Sequence, residues 1–115
     1  MWWNRFASVI IGVFLGFCSF DAAIAGRVCP VKRGTTLQYV TVFDGAPEEL
    51  ASLIPDQTSN RTGRWEVGYV YDAGREVTIR CRYLNGDAQD IRLTDRIGAC
   101  FYAISRKHVL ALSCK

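Results

Sequence analysis

The chain has 115 residues, with 14 Lys and Arg against 11 Asp and Glu and a formal net charge of +3. This length predicts one domain, and the acids and bases alternate along the chain instead of forming the basic stripe of a nucleic-acid-binding protein. We therefore predict no nucleic-acid partner.

The N-terminal segment has the three parts of a secretory signal peptide. Arg5 supplies a positive charge, residues 6–20 form an uncharged apolar run, and Ala23-Ile24-Ala25 is a small-x-small cleavage triplet. The run is shorter than the roughly 20 residues that a spanning helix needs, which disfavours the alternative of an uncleaved membrane anchor. We predict cleavage of residues 1–25 and a single periplasmic domain over residues 26–115, without membrane contact after cleavage.

Cleavage would remove Cys18 and leave Cys29, Cys81, Cys100 and Cys114. Four cysteines in a small exported domain predict two disulfides. Their gaps of 52, 19 and 14 residues lack the close pairs of a zinc site, so we predict no metal. Of the three possible pairings we favour Cys81–Cys100 with Cys29–Cys114, and the other two stay open.

Strand and helix signals follow one another in the first half of the mature chain. Thr35–Phe43 is rich in β-branched and aromatic residues and predicts a strand that ends at the Asp44-Gly45 turn. Pro47–Leu53 predicts a short helix, because Pro and two Glu suit a first helical turn and its apolar side chains share one face. Residues 56–64 contain no apolar side chain and predict an exposed loop.

Period-two alternation of apolar and polar residues dominates the second half. Residues 65–72 and 76–84 predict two strands, with Trp65 facing the core. Their apolar faces coincide if a three-residue loop sets Val67 opposite Cys81, because an even loop would shift the register by one residue and mix the faces.

The remaining strands alternate in the same way. After an Asn85-Gly86 turn, Ile91 and Leu93 join the apolar face of the preceding strand only if the connecting loop has an odd number of residues. Residues 100–104 and 108–114 predict two more strands. The sequence therefore predicts a mostly β (α+β) fold, with an antiparallel meander sheet of five or six strands that could curl towards a barrel, one short helix and two disulfides.

No arrangement of side chains predicts catalysis. His108 is the only histidine and lies in a predicted turn, without a group to orient it as a base. Glu48 and Glu49 are neighbours that point apart, which suits a helix N-terminus better than an acid-base pair.

Arginines collect on the outer face of one predicted hairpin, namely Arg80, Arg82 and Arg92. They could form a positively charged surface that binds an acidic partner. Cross-strand pairing with Glu66, Glu76 and Asp90 is the favoured interpretation.

Residues 42–56 read VFDGAPEELASLIPD, and further matching segments are Cys29-Pro30, Trp65, Cys81-Arg82-Tyr83, Cys100 and Leu112-Ser113-Cys114. In these residues the chain resembles a family of small, exported, uncharacterised Gram-negative bacterial proteins with a VFDG-x-P-x-E-x-A-x-L-x-PD block and four cysteines. Leu93-Thr94 departs from the Leu-Pro that the family usually has. The resemblance implies an envelope location. Members that lie near secretion or toxin-antagonism genes imply an immunity or inhibitor role.

The leading hypothesis is a non-enzymatic periplasmic binding module that inhibits a toxin or hydrolase of the cell envelope, without a cofactor or catalytic residue. Loops on rigid scaffolds often carry binding, so we predict a contact surface comprising Asp44, Glu48, Glu49, Asp56, Arg61, Arg64, Arg80 and Arg82. For the segment 44–56, a helix that merely caps the sheet is the favoured alternative. The alternatives for the whole protein are a small envelope hydrolase using carboxylates or His108, and a structural or stress-related envelope protein without a specific ligand.

Overall fold

The structure is a computed structural model that describes residues 27–115, so the predicted signal peptide, its cleavage site and Cys18 lie outside the described residues. Its strands form two four-stranded sheets in which all neighbouring strands are antiparallel. The first sheet has the order β2-β1-β5-β6 and the second has the order β3-β4-β7-β8. The elements are β1 (Leu37–Asp44), a 3-10 turn (Pro47–Glu49), β2 (Ser52–Leu53), β3 (Gln57–Thr58), β4 (Thr62–Glu66), α1 (Gly68–Asp72), β5 (Val77–Tyr83), β6 (Ala88–Leu93), β7 (Ala99–Ile104) and β8 (Leu110–Cys114).

The predicted mostly β fold with one short helix and two disulfides is confirmed. Its strands are divided between two sheets instead of forming one meander of five or six strands, and the sheets do not close into a barrel. The reason is the placement of β4, which pairs with β7 while α1 carries the chain across to the first sheet.

Side chains from the inner faces of both sheets form one buried cluster. The first sheet contributes Val42 and Ile79, which have no solvent exposure, and the second contributes Trp65 and Leu112. Val70 of α1 completes the cluster at one end. Burying an apolar side chain of this size contributes roughly 1.5–3 kcal/mol, so this shared cluster is the main force that holds the sheets together.

A short N-terminal strap, residues 27–30, joins the two sheets. Arg27 forms an isolated β-bridge with Ser113, and the Val28 N–H donates to the Leu112 carbonyl at 3.1 Å, both on β8 of the second sheet. Cys29 is then bonded to Cys81 on β5, in the first sheet. The strap is thus paired to one sheet and covalently attached to the other.

The structure corrects the favoured disulfide pairing. Cys29 pairs with Cys81, and Cys100 pairs with Cys114. The predicted Cys81–Cys100 bond assumed neighbouring strands of one meander, but β5 and β7 belong to different sheets. Cys100 instead lies directly opposite Cys114 in the β7–β8 register.

The helix predicted for Pro47–Leu53 is wrong. Only Pro47–Glu49 is helical, as a 3-10 turn, and Leu50 ends it with a left-handed φ of 58° and an 82% exposed side chain. Ser52 and Leu53 instead pair with the edge of β1. A seven-residue helix is marginal by itself, so backbone pairing at a strand edge replaced it.

The strand predicted for residues 65–72 is also wrong beyond Glu66. The segment turns into α1, because Val67, Val70 and Tyr71 also fit the i, i+3, i+4 spacing of a helix, and the first two are fully buried. Val67 therefore does not oppose Cys81. The predicted loop over residues 56–64 contains β3 and the start of β4.

Other predictions of register and burial are confirmed. Ile79 pairs with Ile91 and Val77 with Leu93, across an odd loop, so the β5–β6 apolar faces coincide. Trp65 lies in the core at 4% exposure. Its Nε1–H donates to the Leu53 carbonyl at 3.1 Å, which connects the second sheet to β2 of the first.

Gly63 provides space for the packing around Trp65. A Cβ atom at Gly63 would lie 1.9 Å from the Tyr102 ring, whose centroid is 5.4 Å from that of Trp65. The two aromatic rings can therefore pack together only over a residue without a side chain.

Removing the two disulfides separately should reveal unequal contributions to stability. In the chain-entropy model, loops of 52 and 14 residues contribute about 4 and about 3 kcal/mol. The Cys29→Ser/Cys81→Ser variant should lose more than the Cys100→Ser/Cys114→Ser variant, because it also releases the strap. Urea unfolding without reductant measures both losses, and a larger loss for the second variant would contradict the role given to the strap.

Gly63→Ala should destabilise the protein by roughly 1–3 kcal/mol, the usual cost of overpacking. The matched control is Gly98→Ala, since a Cβ there meets only the Lys115 carbonyl oxygen at 3.7 Å. Thermal unfolding of both variants checks this, and equal melting temperatures would disprove the close approach of Tyr102.

Candidate functional site

The outer face of the first sheet carries the predicted arginines, largely as ion pairs. Arg80 lies opposite Asp90 and holds it with two hydrogen bonds, Nε to Oδ1 at 2.8 Å and Nη2 to Oδ2 at 3.0 Å. Arg92 pairs with Glu76. The predicted cross-strand pairing is confirmed for these two arginines, whereas Glu66 lies in the second sheet and pairs with Arg64.

Arg82 has no ion pair within residues 27–115. Its guanidinium carbon lies 5.8 Å from the ring centroid of Tyr39, which is 47% exposed. A β-bulge between Leu37 and Tyr39 creates this contact, since Leu37 points inward and the bulge then turns Tyr39 outward, opposite Arg82. An exposed tyrosine beside an arginine is a combination enriched at binding hot spots.

Two of the acidic residues that were predicted as contacts near the 3-10 turn, Asp44 and Glu49, form ion pairs with Arg75 of the same domain. Arg75 donates from Nε to Asp44 Oδ1 at 2.7 Å and from Nη2 to the Asp44 carbonyl at 3.0 Å, and it also pairs with Glu49. Glu48 is exposed beside them. This network attaches the 3-10 turn to the start of β5, so Asp44 and Glu49 have a structural role in addition to any contact.

The remaining predicted contacts surround the second sheet. Asp56 Oδ2 accepts the Glu66 N–H at 2.6 Å, which aligns β3 with β4. Arg61 is exposed, and its carbonyl accepts the Ile104 N–H at 2.7 Å. Arg64 lies on the outer face of this sheet with its guanidinium carbon 4.8 Å from the Phe101 ring centroid.

The structure thus divides the predicted contact surface into three places: the outer face of the first sheet, its acidic end, and the second sheet, where Arg64 lies on the outer face and Asp56 and Arg61 precede its strands. Three residues at these surfaces were not identified from the sequence: Tyr39, Phe101, and Lys115, whose Nζ lies 5.2 Å from the Phe101 ring centroid. Phe101 could have been found, because it is a large apolar residue on the outward phase of an alternating strand. Tyr39 was not identifiable, because the β-bulge between Leu37 and Tyr39 changes which face of the strand its side chain occupies.

The candidate groups for catalysis do not converge. His108 is exposed in the β7–β8 turn with a φ of 61°, and Ser105 Oγ accepts the Lys107 and Val109 N–H groups at 3.2 Å each. No three His, Cys, Asp or Glu residues within residues 27–115 are placed to hold a metal ion. None of the helices in that range has the length and apolar character to cross a membrane.

Two packed sheets braced by disulfides, with charged and aromatic side chains on their outer faces, are typical of a small binding protein. Residues 32–115 match the family of type VI secretion system Tli immunity proteins, and the chain belongs to this family. No curated protein and no solved structure matches it. Immunity proteins bind a partner toxin and are not enzymes, so the predicted non-enzymatic, immunity-like function is confirmed.

The Arg80–Asp90 pair should be visible in the titration of Asp90. The hydrogen bond from Arg80 lowers the pKa of Asp90 below its ordinary value of 3.8, against an opposing desolvation effect. Since the folded pKa lies below the unfolded one, the pair stabilises the fold above the unfolded pKa, and this contribution is lost as the pH falls through the folded pKa. At 41% exposure of the Asp90 side chain, the pair should be worth at most about 1 kcal/mol.

An NMR titration of the Asp90 carboxyl carbon should give a midpoint below 3.8 in the wild-type protein and a higher one in Arg80→Gln. Arg92→Gln is the control, because Arg92 pairs with Glu76. An Asp90 midpoint unaffected by Arg80→Gln would contradict the assignment.

Proposed function

We propose that this chain protects the cell that makes it by binding a type VI secretion toxin in the periplasm and blocking its action there. The observation that carries the proposal is the family match over residues 32–115. The basic start, apolar run and Ala23-Ile24-Ala25 triplet support delivery to the periplasm. A toxin that acts in this compartment would meet its inhibitor where it attacks, and a hydrolase of the cell envelope is the partner proposed.

The two-sheet scaffold supports inhibition by binding. Disulfides, a shared core and the strap fix the outer faces before a partner arrives, so little ordering cost remains to be met on association. The contact residues remain part of the proposal, now distributed over two faces and one end of the domain.

A contact-killing assay tests this function with the intact chain. The attacker is the parent strain with an active type VI system, and the recipient is the same strain with an inactive system and without the gene for this chain. We expect the recipient to lose viability on contact and to regain it when the full chain is supplied from a plasmid. A chain lacking residues 2–25 should not protect, because it would remain in the cytoplasm.

An attacker with an inactive secretion system is the control and should leave all recipients alive. Equal survival with and without the chain would refute immunity and favour the structural or stress-related alternative. Full protection by the leaderless chain would refute the periplasmic site of action while leaving immunity intact.

A further inference from the structure

The outer face of the second sheet has an ordered row of side chains across its strands. The register sets Arg64 on β4 beside Phe101 on β7, Phe101 beside Ser113 on β8, and Ser113 beside Arg27 of the strap. A cation therefore stands at each end of the row, with an aromatic ring and a hydroxyl between them.

Small side chains next to this row form the floor of an open groove. Ala103 lies opposite Ala111, and both are exposed. The groove has a volume of about 720 Å³ and is bounded on one side by Thr58 and Ser59 and on the other by Arg27. A floor of alanines near the β7–β8 turn leaves room for a segment of another protein to lie against the backbone.

The charge of this face is unbalanced. Arg64 and Lys115 both lie over the Phe101 ring, with Cζ and Nζ at 4.8 and 5.2 Å from its centroid, and Arg27 adds a third cation. Within the described residues, Glu66 is the one acidic side chain that the strands of this sheet place on its outer face. Its Oε1 forms an ion pair with Arg64 Nε at 2.5 Å, between side chains that are 41% and 53% exposed.

The opposite face of the domain differs in this respect. Two of its three arginines, Arg80 and Arg92, already hold a carboxylate each, and Glu48 lies near Arg80. Arg64 on the second sheet is paired as well, with Glu66, but Arg27 and Lys115 have no ion pair within residues 27–115, whereas on the first sheet this holds for Arg82 alone. Complementarity to an acidic partner is therefore strongest at the second sheet.

Contacts on the inner side of the sheet fix the strands that form the groove. The Cys100–Cys114 disulfide joins β7 to β8 on the inner side, next to the row that carries Phe101 and Ser113. Tyr102 packs over Gly63 against Trp65 and fixes β4 to β7. A surface fixed in advance loses little conformational entropy when it binds.

We propose that this groove is where the toxin docks, and that the toxin inserts an acidic loop whose backbone lies over Ala103 and Ala111. Its carboxylates contact Arg27 and Arg64 at the groove and Lys115 beyond it, on the far side of Phe101. The inference rests on the proposed immunity function and names the surface and the partner chemistry. Charges at such a rim chiefly accelerate association and select the partner. Arg64 and Lys115, the two cations beside Phe101, lie at the end of the site away from the Ala103–Ala111 pair.

The contact-killing assay separates this inference from the function itself. The charge-reversal variants are Arg64→Glu and Lys115→Glu, and Lys115→Gln removes the charge while keeping much of the length. Ala111→Trp fills the groove from an exposed position and leaves the core untouched. We expect Arg64→Glu, Lys115→Glu and Ala111→Trp each to lower recipient survival roughly tenfold or more. Lys115→Gln should give a survival between that of Lys115→Glu and that of the wild type.

Arg33→Glu, at an exposed loop position, matches the change in net charge and should protect fully. Melting temperatures of the disulfide-bonded variants identify any variant that fails to fold. If a charge-reversal variant fails to fold, Ala111→Trp still tests the groove. Protection by wild type and by all folded groove variants alike would overturn the inference while leaving immunity intact. Loss of protection confined to Arg82→Glu would move the docking site to the first sheet, whereas failure of the wild type would refute the function itself.

Discussion

The disulfide between Cys29 and Cys81 constrains most of the structure around it. Each sheet has one face of apolar side chains, and the two sheets are stable only when those faces cover each other. The strap pairs with β8 and is bonded to β5, so it limits how far the sheets can separate. The hydrogen bond from Trp65 to the Leu53 carbonyl connects the sheets a second time, between β4 and β2. A domain with so small a core gains much from such cross-links.

Local patterns predicted the pairs of strands that are adjacent in sequence. The β5–β6 and β7–β8 hairpins follow from alternation and from turn residues, and both are antiparallel as expected. Which sheet each hairpin joins depends on contacts between distant residues, and alternation contains no information about them. The disulfide error follows from this limit, because the favoured pairing required β5 and β7 to be neighbours.

The errors in local structure have a related cause. Residues 65–72 fit a period of two and the spacing of a helix at once, and burial of Val67 and Val70 decided between them. Leu50 lies in a segment with good helix-forming residues, yet pairing along β1 placed it in a left-handed conformation. For the candidate site, the arginines and acids were identifiable from the sequence. Their assignment to different faces was not, because it requires the register of each strand and the position of a bulge.

The order of the disulfides along the chain bears on how the protein could mature. The bonds join the first cysteine of the described domain to the second and the third to the fourth. A polypeptide that enters an oxidising compartment from its N-terminus exposes Cys29 first and Cys81 next, before either later cysteine. In a chain exported as proposed, each native bond therefore joins two thiols that arrive one after the other, so pairing in the order of arrival gives the native bonds.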